Sequence, residues 1–221
     1  RSSMEIITKP VILTVVPPDS ALKKMIILVD KKIFGISIQQ FYETIWSEGE
    51  RTDAAPFYEP WLKSQGNYDT SVGKWDYAST SKSDDLFKNE WCGEQYSQKR
   101  TITYEFKRTT HLYIGPPTAA VTQNHYCRIE GNDKCVLAMS LSFGGIPYAD
   151  TFRVEIRWVV RRSGLKDLNV EVGCFVNMIK SNLFSKQLKS GTIQESKPVH
   201  EHLFMAVKKA CYQLKGSDDS G

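Results

Sequence analysis

The sequence predicts an α+β domain in which a curved antiparallel sheet wraps around one long C-terminal helix. Three observations carry that expectation. From Gln98 to Met178, apolar and polar residues alternate in successive runs separated by short turns, the pattern of antiparallel strands with one buried face. Beyond that stretch the period changes to 3.6, with Leu203, Phe204, Val207, Ala210, Cys211 and Leu214 on one stripe, as in a helix that covers a sheet. Finally, 221 residues with 41% hydrophobic and 24% charged side chains suit one domain with a sizeable core and exclude wholesale disorder.

Taken in order, Met25–Phe34 is rich in Ile and Val and is closed by Gly35, a strand followed by a turn. Ser37 is placed to cap a helix that carries Ile38, Phe41, Tyr42 and Ile45 at helical spacing and ends near Trp46. Glu48–Ala55 is a polar loop, and Pro56–Gln65 a short helix with Phe57, Tyr58, Trp61 and Leu62. Tyr68–Tyr77 reads as a strand. Ser79–Glu90 is dominated by Ser, Lys and Asp and reads as a flexible surface insertion.

The sheet proper then begins. Ile102, Tyr104 and Phe106 alternate with Thr101, Thr103 and Glu105. A turn at His111–Pro117 leads into a strand over Thr118–Ile129, and Gly131-Asn132-Asp133 turns into Lys134–Phe143. In Thr151–Arg161, Phe152, Val154, Ile156, Trp158 and Val160 alternate with Arg153, Glu155, Arg157 and Arg161, which predicts one apolar and one solvated face. Asp167–Met178 is the last strand. Ile179–Leu214 is helical in pattern, with a break or bend expected at Pro198. The expected organisation is an N-terminal extension over 1–23, a domain over 24–215 with an insertion at 79–90, and a polar tail over 216–221.

A net charge of +4, from 29 Lys+Arg and 25 Asp+Glu, is too mild for nucleic-acid binding and suits brief contact with anionic membrane surfaces. The five cysteines, Cys92, Cys127, Cys135, Cys174 and Cys211, form no CxxC pair, so no zinc or redox motif is expected, and the setting reads as reducing and cytosolic. Apolar runs such as Met25–Val29 fall far short of the ~20 residues of a spanning helix. The histidines form no HExxH, and GxSxG, P-loop and GxGxxG motifs are absent. Neither catalysis, nor a metal, nor a cofactor is expected.

Four segments, taken together, resemble a known family. They are FGISIQQFYETIW (34–46), FYEPWLKSQGNYD (57–69), TITYEFKRTTHLYIGPPTAAVTQ (101–123) and SFGGIPYADTFRVEIRW (142–158). In order and spacing they resemble the VASt domain, the StART-like module of the LAM and Aster sterol-transfer proteins, and GNYD is close to the fungal members. The resemblance covers roughly Lys24 to Leu214. The 79–90 insertion, Pro198 within the closing helix, and Gly144-Gly145 where the family often has an acidic residue all depart from its pattern.

The resemblance implies a helix-grip fold with one apolar cavity. The implied role is non-enzymatic binding and transfer of a sterol (ergosterol- or cholesterol-like) between membranes, at contact sites of the endoplasmic reticulum. The implied location is the cytosolic face of that membrane, with any anchor outside these residues. A lipid-sensing or protein-interaction module of the same fold is the alternative.

A sterol is a rigid apolar body with one hydroxyl, so a carrier needs apolar walls and one polar partner. The expected walls are Ile102, Tyr104, Phe106, Val121, Leu137, Met139, Phe152, Val154, Ile156 and Trp158, with Phe204 and Val207 from the helix. The same residues also suit an ordinary core. Gln123 and His125 are polar on a face shared with Ala119, Val121 and Cys127. Gln123 is the first candidate for the sterol hydroxyl and Tyr104 the second. The expected mouth is the turn Tyr113, Ile114, Gly115, Pro116 and Pro117, with Phe57–Leu62 as the opposite lip. Lys63, Lys107 and Arg108 are the candidate membrane contacts, whereas Arg153, Arg157, Arg161 and Arg162 read as a solvated outer face. The expected partners are one sterol or similar apolar lipid and, transiently, an anionic membrane. No nucleic acid is expected, and the isolated domain reads as a monomer.

Overall fold

The computed structural model describes residues 19–48, 55–79, 86–107, 117–181 and 183–218. Strand β1, Ile26–Phe34, leads through a left-handed Gly35 into helix α1, Ile38–Ile45. The Ser37 hydroxyl accepts from the Gln40 amide, and the Gln40 side chain accepts from the Ser37 amide. This reciprocal box ties two of the orphan amides at the helix start. Helix α2, Tyr58–Ser64, precedes β2, Tyr68–Val72, and the two-residue strands β3, Asp76–Tyr77, β4, Phe87–Lys88, and β5, Gln95–Tyr96. Four long strands follow the short ones: β6, Gln98–Lys107, β7, Thr118–Glu130, β8, Lys134–Gly144, and β9, Phe152–Arg162. Strand β10, Asp167–Met178, and helix α3, Ser185–Asp218, complete the chain.

The main sheet is antiparallel throughout, in the order β1-β10-β9-β8-β7-β6-β2, with β3 also paired to β6. Lys107 lies opposite Thr118, Leu141 opposite Val154, and Phe152 opposite Met178. The end of β6, the start of β7, the β8–β9 turn and the end of β10 therefore share one end of the sheet. One face, including Ile102, Leu137, Ile156, Trp158 and Val172, packs against α1, α2 and the second half of α3 in a single core. This is a StART-like helix-grip arrangement. Among the described residues, no helix is long and apolar enough to cross a membrane.

The structure corrects several expectations. Folded structure begins before residue 24: Asp19, Ala21 and Leu22 are buried, and Leu22 and Met25 cover Val159 on the second face of the sheet. That face is not simply solvated. Arg157 and Glu155 are buried there, and Arg157 donates two hydrogen bonds to the Asp19 carboxylate at 2.8 and 2.7 Å. Arg157 also donates to the Tyr96 hydroxyl and to Glu94, each at 2.7 Å.

Within the expected insertion, 80–85 lie outside the described residues. Phe87–Lys88, by contrast, pair with Gln95–Tyr96, and Asn89 is buried. Tyr68–Tyr77 is interrupted between Val72 and Asp76, and in that gap the Gly73 amide donates to the Thr101 carbonyl at 2.9 Å, an approach at which a Cβ would sit 2.6 Å from the same oxygen. Helix α3 starts at Ser185 rather than Ile179 and continues through Pro198 without a break. Downstream packing of Leu203, Phe204, Val207 and Cys211 outweighs the lost hydrogen bond. The Leu214 side chain is outside the described residues.

Candidate functional site

Strands β6 and β7 bring a small polar network onto the apolar inner wall. Their register sets Arg100 opposite His125, Ile102 opposite Gln123, and Tyr104 opposite Val121, so period-2 alternation points all of these side chains the same way. Helix α2 supplies Tyr58. The Tyr58 hydroxyl donates to Gln123 Oε1 at 3.0 Å, His125 Nε2 lies 2.8 Å from the same oxygen, and Gln123 Nε2 donates to the Tyr104 hydroxyl at 2.9 Å. An amide oxygen only accepts, so His125 carries its proton on Nε2 and presents an unprotonated Nδ1. That Nδ1 is buried without a hydrogen-bond partner.

Burial, helped by the Arg100 charge, holds the His125 pKa well below the usual imidazole range, so the ring is neutral. Burial pushes the Tyr58 hydroxyl above the ordinary phenol range and Tyr104 up to about 12. Both tyrosines therefore remain protonated donors near neutral pH. Tyr58, Gln123 and His125 are buried, whereas Tyr104 is only half-buried. Having accepted from Gln123, the Tyr104 hydroxyl still has its own proton to donate.

Arg100 lies behind this network. Its guanidinium sits 4.4 Å over the Trp75 ring and 5.8 Å from the Tyr58 ring, with Nη1 3.6 Å from Glu48 Oε1. Burial lowers its pKa, against the attraction of Glu48. Its three nitrogens, together with Trp46 Nε1 and Trp158 Nε1, have no hydrogen-bond partner. Trp46 touches both Tyr58 and Trp158 at 5.6 Å between ring centroids. The inner wall thus carries a cluster of buried, unpartnered donors on one side of Gln123 and the half-buried Tyr104 on the other.

Ile102, Val121, Leu137, Met139, Phe152, Val154, Ile156, Trp158, Phe204 and Val207 are all buried, and Phe106 is half-buried near the end of β6. Pro117 is exposed at the start of β7, whereas Arg108, Tyr113, Ile114, Gly115 and Pro116 lie outside the described residues. Lys107 is exposed, and Lys63 is held by Glu59 at 2.7 Å. The expected lip over Phe57–Leu62 is corrected, because Tyr58, Trp61 and Leu62 are buried in the core. Among the described residues, no group of three His, Cys, Asp or Glu could hold a metal ion.

Two members of the site escaped the sequence reading. Arg100 had a signal: extending the alternation of Ile102 and Tyr104 back by two residues places it on the inner face. Tyr58 had none, since its partner is 65 residues away.

Comparison with known proteins places these features in a family. The family model described as VASt, "VAD1 Analog of StAR-related lipid transfer domain", matches residues 27–195. The chain is 22% identical over 194 residues to Vascular associated death 1, chloroplastic, of Arabidopsis thaliana. The match takes in 85% of this chain and 28% of that protein, so the chain spans little more than a quarter of the relative's length. With three quarters of its length covered by the family model, the chain belongs to the VASt family of StART-like lipid-binding domains.

Proposed function

We propose that this domain binds one sterol-sized lipid per chain and carries it between membranes without catalysing a reaction. One observation supports the choice of a ligand with a single polar end. The apolar inner wall carries a buried hydrogen-bond network whose half-open member, Tyr104, keeps a proton to donate. A lone ligand hydroxyl placed there would gain an acceptor or a donor, and the rest of the ligand would need neither. The setting that fits this reading is the cytosolic face of the endoplasmic reticulum at membrane contact sites.

The test is titration of the domain with a fluorescent sterol, competed by unlabelled sterol and by phospholipid, in the wild type and in Tyr104→Phe. The expected outcome is saturable uptake near one per chain, displaced by sterol alone. Loss of the hydroxyl should weaken binding roughly five- to tenfold, the worth of one hydrogen bond of ~1–1.5 kcal/mol. A folded wild-type domain that takes up no sterol would overturn the proposal. That result would favour a protein-interaction module of the same fold, a reading supported by the close packing of Ile102, Trp158 and Val207 in one core.

A further inference from the structure

A second feature lies on the surface, at the sheet end shared by the β8–β9 turn and the β10–α3 link. Tyr148, Ile179 and Phe184 are exposed there, and Leu183 is 94% exposed. The Tyr148 and Phe184 rings meet with centroids 5.5 Å apart. Tyr148 and Ile179 are held by the backbone. The Ile179 and Lys180 amides both donate to the Thr151 carbonyl, at 2.8 and 3.1 Å, and the Thr151 amide donates to the Tyr148 carbonyl at 2.9 Å. Tyr148 itself sits at φ 63°, a left-handed conformation that a bulky side chain rarely adopts. Tyr148 and Ile179 are therefore presented outward by a braced turn, and the Phe184 ring lies against Tyr148.

Beside them, the first turns of α3 and the start of β1 form an open groove of about 470 Å³, lined by Ile26, Ile193, Lys186, Lys189, Ser190 and Gln194. Between Ile179 and Gln194 the chain has three lysines and no acidic residue. Lys180 is paired with Asp150 at 2.7 Å, which leaves Lys186 and Lys189 to set the local charge.

We propose that this surface docks onto an anionic bilayer, with Tyr148, Ile179, Leu183 and Phe184 entering the interfacial layer and Lys186 and Lys189 resting over the headgroups. An exposed apolar cluster rimmed by polar residues marks an interaction surface. Asp150 is engaged by Lys180, so Lys186 and Lys189, which have no ion pair among the described residues, favour an anionic partner. Long lysine stems allow charge to stay at headgroup level while the apolar groups sink below it. The inference rests on the carrier reading for its purpose, because docking would bring the Tyr104 end of the inner wall to the lipid. The contact itself needs no ligand.

The chain provides its own control. Leu165, in the β9–β10 turn at the opposite end of the sheet, is also 94% exposed. The experiment is co-sedimentation with phosphatidylcholine vesicles, with and without phosphatidylserine, for the wild type, Leu183→Asp, the Lys186→Glu/Lys189→Glu pair and Leu165→Asp. The wild type and Leu165→Asp should bind only the phosphatidylserine vesicles. Leu183→Asp and the lysine pair should each lose about tenfold or more in partitioning. Failure of the wild type to bind overturns the proposal, as does wild-type binding by Leu183→Asp and the lysine pair, or equal loss in Leu165→Asp.

Sterol uptake from cyclodextrin, which needs no bilayer, separates the two claims. Uptake without vesicle binding refutes the docking surface and keeps the carrier reading. Vesicle binding by the pattern above, without uptake, supports the docking surface and refutes the carrier.

Discussion

Replacing Asp19 by Asn removes a charge from beneath the sheet while keeping the side-chain shape, and its cost can be worked from the structure. Burial alone would raise the Asp19 pKa, but the Arg157 hydrogen bonds and charge outweigh it, with help from the Leu22 amide and Lys134, and hold it at about 2. Its ordinary value is 3.8, and the gap corresponds to roughly 2.5 kcal/mol of stability. Because the folded-state pKa is the lower one, this contribution is fully present above pH 3.8 and fades as the pH falls towards 2. The substitution also leaves the buried Arg157 with Glu94 and Tyr96 as its remaining strong partners, so a loss of about 2.5–4 kcal/mol is expected at neutral pH. Urea denaturation of both proteins, repeated from pH 7 down to pH 2.5, measures it. The difference should narrow through the acid range as the wild type loses its own ion pair. A difference within about 0.5 kcal/mol at pH 7, or one that does not shrink with acid, would refute the reasoning.

Glu155 is pushed by burial up to about 7 from its ordinary 4.5, against a 2.5 Å hydrogen bond from Ser140. A raised carboxyl pKa has the opposite sign, so stability is fully present below pH 4.5 and is lost as the pH rises towards 7. Glu155→Gln should therefore raise stability by roughly 2–3 kcal/mol at pH 8 and leave it unchanged near pH 4, as read by thermal melts across pH. Gly173→Ala places a Cβ 2.6 Å from Leu22 Cδ1 and 2.8 Å from Met25 Cβ. It should cost about 1–3 kcal/mol in the urea midpoint, and the loss should shrink in a Leu22→Ala background.

The inner side of this fold was readable because local rules suffice there. Ser37 and Gln40 announce the start of α1, and the alternation of Phe152 through Val160 marks one apolar face. Alternation cannot say whether something distant covers the other face. Arg157 and Glu155 looked solvated because their cover comes from Asp19–Met25 and the β4–β5 hairpin, far away in sequence. Pro198 misled in the opposite sense, since a local helix breaker was overruled by burial further along. Gln123 stood out as a polar residue on an apolar face. Its partner Tyr58 could not, because an aromatic residue in a short helix is equally at home in a core, a lip or a network.

Helix α3 is, in mechanical terms, a cantilever. The half from His200 to Cys211 is clamped by Leu203, Phe204, Val207 and Cys211, all buried. The half before it contains no buried residue and rests on the half-buried Leu188 and Ile193. The Pro198 ring removes the amide that would bond the Gln194 carbonyl, right where the clamp ends. The two halves are thus held unequally: shifting the first disturbs the half-buried contacts of Leu188 and Ile193, whereas shifting the second would expose four buried side chains. Local opening of this helix is therefore expected to begin at the Ser185 end and to stop at His200, where burial resumes.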